Sequence, residues 1–160
     1  MPIQAGDKMP EGVLVEMTGD GPAPHNTADL FAGKKVVFFA VPGAFTPTCS
    51  ARHVPGYVEH AQALKDKGVD AVYCMSVNDA FVMGAWGKDQ GSDEVVTMLA
   101  DGNCDYTKSL DLVLDGSGFG MGQRSQRFAL IVTDGVVEHA CIEAPGDFKV
   151  SSAEHVVSLL

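Results

Sequence analysis

At 160 residues and 46% hydrophobic, the chain can bury the core of one ordinary domain without disulfide staples, and a single domain over residues 1–160 is expected. The formal net charge of −10, from 11 basic and 21 acidic residues, argues against a polyanion such as nucleic acid, because phosphate recognition needs a basic face and no Lys/Arg cluster is present. No basic-then-apolar leader follows Met1, and no apolar run approaches the roughly 18–20 residues that span a bilayer, so a cytoplasmic location with no membrane contact is expected.

Along the chain, Val36–Val41 (VVFFAV) is the first wholly apolar, β-branched and aromatic run, and it reads as a strand buried on both faces. Val54, Val58, Ala61 and Leu64 then recur at three- and four-residue steps, predicting a helix from Cys49 to Lys67 that closes at Gly68. A second buried strand over Val69–Val77 completes a βαβ unit. Asn78–Gln90 reads as a helix with Asn78 as its capping residue, against the cost of two internal glycines. A third, shorter strand lies within Glu94–Asp101, and the glycine-rich Ser117–Gln123 (SGFGMGQ) reads as a loop, since no strand-to-helix context makes it a phosphate cradle. Asp134-Gly135 joins two strands in an antiparallel hairpin, and SSAEHVVSLL closes with a capped helix. The expected architecture is α/β, a mixed central sheet flanked by helices.

Between the first strand and the first helix lies PGAFTPTCS. With Thr46 as N-cap, Pro47 takes the first helical position, where its fixed φ fits and its missing N–H costs nothing. Cys49 is then the third helical residue, where free backbone N–H groups and the helix dipole favour an anion, so its thiol should ionise more easily than a free one. A lowered pKa explains little rate alone: a fall from about 8.5 to about 6 raises the thiolate fraction near pH 7.4 only about ten- to fifteen-fold, while intrinsic nucleophilicity falls. Fast thiol chemistry therefore requires donors aimed at the bond that breaks. The Thr46 hydroxyl can supply one by pointing its proton toward the sulfur or a bound oxygen, and a permanent cation would complete the site.

The other cysteines, Cys74, Cys104 and Cys141, are spaced too widely for a CxxC pair or a zinc knuckle, and as isolated residues each reads as a small buried hydrophobe. His53 lies four residues after Cys49 on the same helix face. A Cys/His pair leaves a hydrolase nucleophile and base, or part of a metal site, open beside the plainer reading of a packed, hydrogen-bonded histidine.

Pro42, Thr46 and Cys49 form the Pro-x-x-x-Thr-x-x-Cys pattern of the peroxiredoxins, and ARHVPGYVEHAQALKDKGVD, CMSVNDAFVMGAWGKDQG and RSQRFALIVTDG extend the likeness over nearly the whole chain in order. The sequence resembles the type II, peroxiredoxin-5-like branch of that family. The resemblance implies a thioredoxin-like fold and a thiol peroxidase that reduces hydrogen peroxide and small alkyl hydroperoxides without cofactor or metal. It makes Cys49 the peroxidatic residue, oxidised to a sulfenic acid. Thr46 would hydrogen-bond thiolate and peroxide, Pro42 would shield the sulfenic acid, and Arg127 would supply the cation from an adjacent strand. The matching histidine does not serve as a base in the family.

Animal-type members of the branch carry a resolving cysteine between the last hairpin and the final helix, but Gly146–His155 contains none. Cys74 matches a cysteine proposed as a resolver in plant-like members, yet it sits in an apolar strand. The favoured expectation is a one-cysteine cycle, with glutathione and glutaredoxin or a thioredoxin as reductant. The resemblance also implies a homodimer, for which Phe45 and Phe119–Met121 are candidate interface residues. A redox-responsive interaction protein that uses Cys49 oxidation is the alternative from another functional class.

Overall fold

In the computed structural model, which describes residues 1–92 and 94–160, the chain opens on a hairpin of β1 (Val13–Thr18) and β2 (Gly21–Asn26). β2 reads GPAPHN and lacks strand signals; its prolines are tolerated because it forms one edge of the sheet. Next come α1 (Thr27–Phe31) and β3 (Lys35–Ala40), then a widened π-type turn over Cys49–His53 that runs into α2 (Val54–Glu59) and α3 (Ala61–Asp66). β4 (Ala71–Ser76), α4 (Ala80–Asp89) and β5 (Thr97–Ala100) follow, then α5 (Asp105–Ser109) and a small ribbon of β6 (Val113–Asp115) and β7 (Gln123–Ser125). β8 (Phe128–Thr133), β9 (Val136–Ile142) and α6 (Ala153–Leu159) end the chain.

Seven strands form one mixed sheet in the order β2-β1-β5-β4-β3-β8-β9, with β3, β4 and β5 parallel and β8 antiparallel to β3. β3 is central and buried on both faces: Val37 and Phe39 belong to one core, with Cys49, Tyr57 and Trp86, while Val36, Phe38 and Ala40 belong to the other, with Phe31 and Phe128. The alternation of a pleated strand thus divides VVFFAV between two hydrophobic layers.

The helix expected over Cys49–Lys67 exists in three pieces. Pro55 offers no N–H to the Ala51 carbonyl and its ring crowds that group, and the turn before it widens, with Val54 N–H reaching back five residues to the Cys49 carbonyl. At His60 (φ −94°, ψ 10°) the ring Nδ1 and the backbone N–H both bond to the Gly56 carbonyl, which ends α2, and Gly68 at φ +90° follows α3. α4 is capped by Asp79, whose carboxylate accepts from Val82 N–H (2.8 Å), rather than by Asn78. One of its internal glycines has a packing reason: a Cβ on Gly84 would stand 2.8 Å from Met17 Cβ on β1. Asp134 (φ +48°) and Gly135 (φ +79°) make the predicted two-residue turn, and Ser152 caps α6 by accepting from His155 N–H.

Candidate active site

Where β3 ends, the chain turns at Pro42-Gly43 and the helix begins as its sequence suggests. Ser50 N–H bonds to the Thr46 carbonyl (3.0 Å), which makes Thr46 the N-cap, Pro47 the first helical residue and Cys49 the third. Trp86 on α4 donates its indole N–H to Ser50 Oγ (2.9 Å) and ties this first turn to the core. The preceding loop is held from outside: Ala44 N–H donates to Asn78 Oδ1 (3.0 Å), which also accepts from Ser76 Oγ (2.6 Å). Asn78, read from sequence as a cap, is therefore a loop anchor. Phe45 sits in the left-handed region at φ +64°, a conformation costing a bulky residue about 1–2 kcal/mol, and its ring lies 6.5 Å from Trp86.

The cation arrives through sheet register. Ala40 on β3 pairs with Phe128 on β8, and Phe128 with Ile142 on β9, so Arg127 stands one residue beyond the paired end of β8, beside the loop that leaves β3, and its carbonyl accepts from Glu143 N–H (3.0 Å). From there Arg127 Nη2 donates to Cys49 Sγ (3.1 Å) and Nη1 to His53 Nδ1 (2.8 Å). A hydrogen bond from a cation is strongest to an anionic acceptor, and a planar fork fixes its direction as well as its charge.

Arginine carries only donors, so His53 Nδ1 is the acceptor and Nε2–H donates to the Ser151 carbonyl (3.0 Å). His53 is thus the neutral Nε2–H tautomer, with both nitrogens engaged and its ring against Phe39 and Phe148. Burial, with the neighbouring Arg127 charge, lowers its pKa from 6.5 to about 3. A general base needs a free lone pair and a pKa near the working pH, so the hydrolase reading of Cys49 and His53 falls and the packed, hydrogen-bonded histidine stands.

A pH dependence follows from this lowered value. The unfolded chain binds a proton at His53 below about 6.5 and the folded chain only near 3, so the stabilisation is fully present above 6.5 and is lost as pH falls across that window. The expected slope from this group is about 1.4 kcal/mol per pH unit. Urea midpoints measured from pH 7 to pH 4 should fall more steeply for the wild type than for His53→Gln; parallel curves would contradict the assignment.

Thr46 departs from the sequence expectation in one respect. Its hydroxyl donates to the Gly43 carbonyl (2.7 Å), an acceptor only, so its proton points away from the sulfur and its lone pairs are what it can offer. Pro42 lines a cavity of about 600 Å³ together with Thr48, Arg52, Leu114, Phe119, Arg127 and Phe148. Cys49 itself has no exposed surface, and the cavity reaches Arg127, whose guanidinium touches the sulfur. The structure therefore sets Arg127 on Cys49, Thr46 at the start of the same helical turn and Pro42 in the cavity wall it shares with Arg127, and Arg52 adds a second guanidinium 4.7 Å over the Phe148 ring.

All four cysteines are free and buried. Cys74 pairs with Phe39 across β3 and β4; burial pushes its thiol well above the ordinary range, and the nearby Cys49 sulfur pushes the same way. Burial also raises the thiols of Cys104 and Cys141. Among the described residues no group of three or more His, Cys, Asp or Glu side chains could hold a metal ion, and no helix is long and apolar enough to cross a membrane.

Comparison with known proteins agrees with this arrangement. The Redoxin family model matches residues 4–157. Peroxiredoxin-2B of Arabidopsis thaliana is 48% identical over 160 residues, covering 99% of each chain. Hybrid peroxiredoxin hyPrx5 of Haemophilus influenzae is 40% identical and covers the whole of this chain, which spans 67% of that protein. Among solved structures, reduced Prx3 from Vibrio vulnificus in complex with hydrogen peroxide superposes with a TM-score of 0.95 at 52% identity, covering 98% of each chain. The thiol at a helix start, the arginine brought to it across the sheet and these relatives together make the chain a member of the peroxiredoxins, the thiol peroxidases, on their type II branch.

Proposed function

We propose that Cys49 is the peroxidatic residue and that it reduces hydrogen peroxide and small alkyl hydroperoxides entering through the cavity beside Pro42 and Arg127. The observation that carries this reading is the 3.1 Å hydrogen bond from Arg127 Nη2 to Cys49 Sγ. The thiolate attacks one peroxide oxygen; an S–O bond forms as the O–O bond breaks, the departing hydroxide or alkoxide takes up a proton, and Cys49 is left as a sulfenic acid. Arg127 offers donors to sulfur and to the oxygen on which charge develops. Thr46 accepts a hydrogen bond from the peroxide O–H with its free lone pairs, or donates to a peroxide oxygen after its hydroxyl rotates off the Gly43 carbonyl. Pro42 keeps water from the oxidised sulfur.

The return half of the cycle uses one protein cysteine. Two equivalents of an external thiol, from glutathione with glutaredoxin or from a thioredoxin, convert the sulfenic acid to thiol, a disulfide and water. Deep burial and a raised pKa argue against Cys74 as the resolving thiolate. The protein works as one thioredoxin-like domain in the cytoplasm and as a homodimer, and exposed Phe45 and Phe119 around the site support the homodimer. No observation favours the sensor alternative. Mass spectrometry after one equivalent of hydrogen peroxide is expected to show one added oxygen at Cys49, converted to a mixed disulfide by glutathione. A quantitative Cys49–Cys74 bridge would overturn the one-cysteine cycle.

A further inference from the structure

Glu143, one residue beyond β9, takes no part in the peroxide chemistry described above, yet it begins a chain of hydrogen bonds that ends on the reactive sulfur. Its Oε2 accepts from Lys149 N–H (2.8 Å), Ser151 N–H (2.9 Å) and Ser151 Oγ–H (2.7 Å), which folds the segment between β9 and α6 back over the site. The Ser151 carbonyl, fixed by that grip, accepts from His53 Nε2–H (3.0 Å) and from the Tyr57 hydroxyl (2.8 Å). His53 Nδ1 in turn accepts from Arg127 Nη1, and Arg127 Nη2 donates to Cys49 Sγ. Glu143, His53 and Ser151 are all buried, and the bonds that tie Ser151 to Glu143, His53 and Tyr57 are shielded from bulk water.

We propose that Glu143 is a positioning residue for peroxide reduction, acting on the Arg127 guanidinium through the Ser151 carbonyl and the tautomer of His53. It rests on the peroxidase reading of Cys49. A carbonyl can only accept, so its presence at Nε2 keeps the imidazole proton there and leaves the Nδ1 lone pair for the arginine. Were the carbonyl to drift, the proton could occupy Nδ1 and two N–H groups would face each other, driving Arg127 away from His53 and off the sulfur. The same segment carries Phe148, whose ring packs on His53 (4.9 Å) and lies beneath the guanidinium groups of Arg52 (4.7 Å) and Arg127 (5.9 Å), so its displacement loosens the arginine on a second side.

The test compares Glu143→Ala, Glu143→Asp and Glu143→Gln in the wild type and in Arg127→Gln, reading the second-order rate of Cys49 oxidation by hydrogen peroxide. In the wild type, Glu143→Ala should slow oxidation about tenfold or more, and Glu143→Gln, which keeps an acceptor oxygen in place, should recover to within about threefold. In Arg127→Gln, where the relay no longer has a guanidinium to place, Glu143→Ala should change the rate by less than about twofold. An equal loss in both backgrounds would mean a general structural role and would overturn the proposal, as would no loss in the wild type. If the alanine variant does not fold, Glu143→Asp, which withdraws the carboxylate by one methylene, carries the same comparison. Nitrogen NMR shifts of His53 provide an arm independent of turnover: Nε2 protonation in the wild type with a tautomer mixture in Glu143→Ala supports the relay, and an unchanged tautomer sinks it. Should the wild type leave hydrogen peroxide untouched, the peroxidase reading falls, and the tautomer arm still decides the relay.

Discussion

Cys49→Ser is expected to lose peroxide consumption by at least about a thousandfold in a stopped-flow assay, because a serine hydroxyl is not ionised near neutral pH and has no two-electron oxidised state equivalent to a sulfenic acid. The substitution conserves shape and leaves an oxygen within reach of the Arg127 donor, so the fold should survive and the loss reports chemistry alone. It also isolates the remaining thiols. Cys74, Cys104 and Cys141 are each buried with raised pKa values, and none should sustain turnover when Cys49 is gone. Residual consumption at more than about 0.1 per cent of the wild-type rate would mean that a second cysteine reacts and that the single-site mechanism is incomplete.

Arg127→Gln should slow peroxide attack about a hundredfold, comparable with the removal of one well-placed donor from an oxyanion site. Part of any such loss could come from a smaller thiolate population, and the two contributions separate experimentally. Alkylation by iodoacetamide needs the thiolate but develops no charge on a departing oxygen, whereas the peroxide reaction needs both. The ratio of the peroxide rate to the alkylation rate should therefore fall in the variant, by the part of the loss that ionisation does not explain. A peroxide deficit matched by the alkylation deficit at every pH would show that the guanidinium acts on ionisation alone. Glutamine can still offer one N–H toward the sulfur but carries no charge and cannot span sulfur and imidazole together.

Much of the scaffold was legible in the residues, and its legibility tracks how local the physics is. VVFFAV marks a strand buried on both faces because each side chain meets a core whichever way it points, and Asp134-Gly135 marks a turn because both residues adopt positive φ. The start of the helix at Pro47 is equally local, and so Cys49 falls at the predicted third position. β2 was not legible, since its prolines are acceptable only on a sheet edge, and nothing within GPAPHN says that it will be one. The same limit applies at the site. That His53 would be an acceptor for Arg127 depends on a backbone carbonyl 98 residues away, and a carbonyl leaves no mark in composition or spacing. Arg127 itself was placed by family likeness and not by pattern, because its approach to the sulfur depends on the pairing of β8 with β3. Asn78 carried a genuine signal with the wrong meaning attached, because a residue suited to cap a helix is equally suited to hold a neighbouring loop N–H.

The widened turn before Pro55 has a consequence for the whole centre. Cys49 and His53 would sit at ordinary helical spacing if the backbone were regular; stretching the intervening loop of chain alters the gap between sulfur and imidazole, and one rigid three-nitrogen plane bridges that gap as it stands. The gauge of the centre is thus set at Pro55, outside the hydrogen-bonded set of Cys49, His53 and Arg127, and the guanidinium is the measuring rod cut to match it.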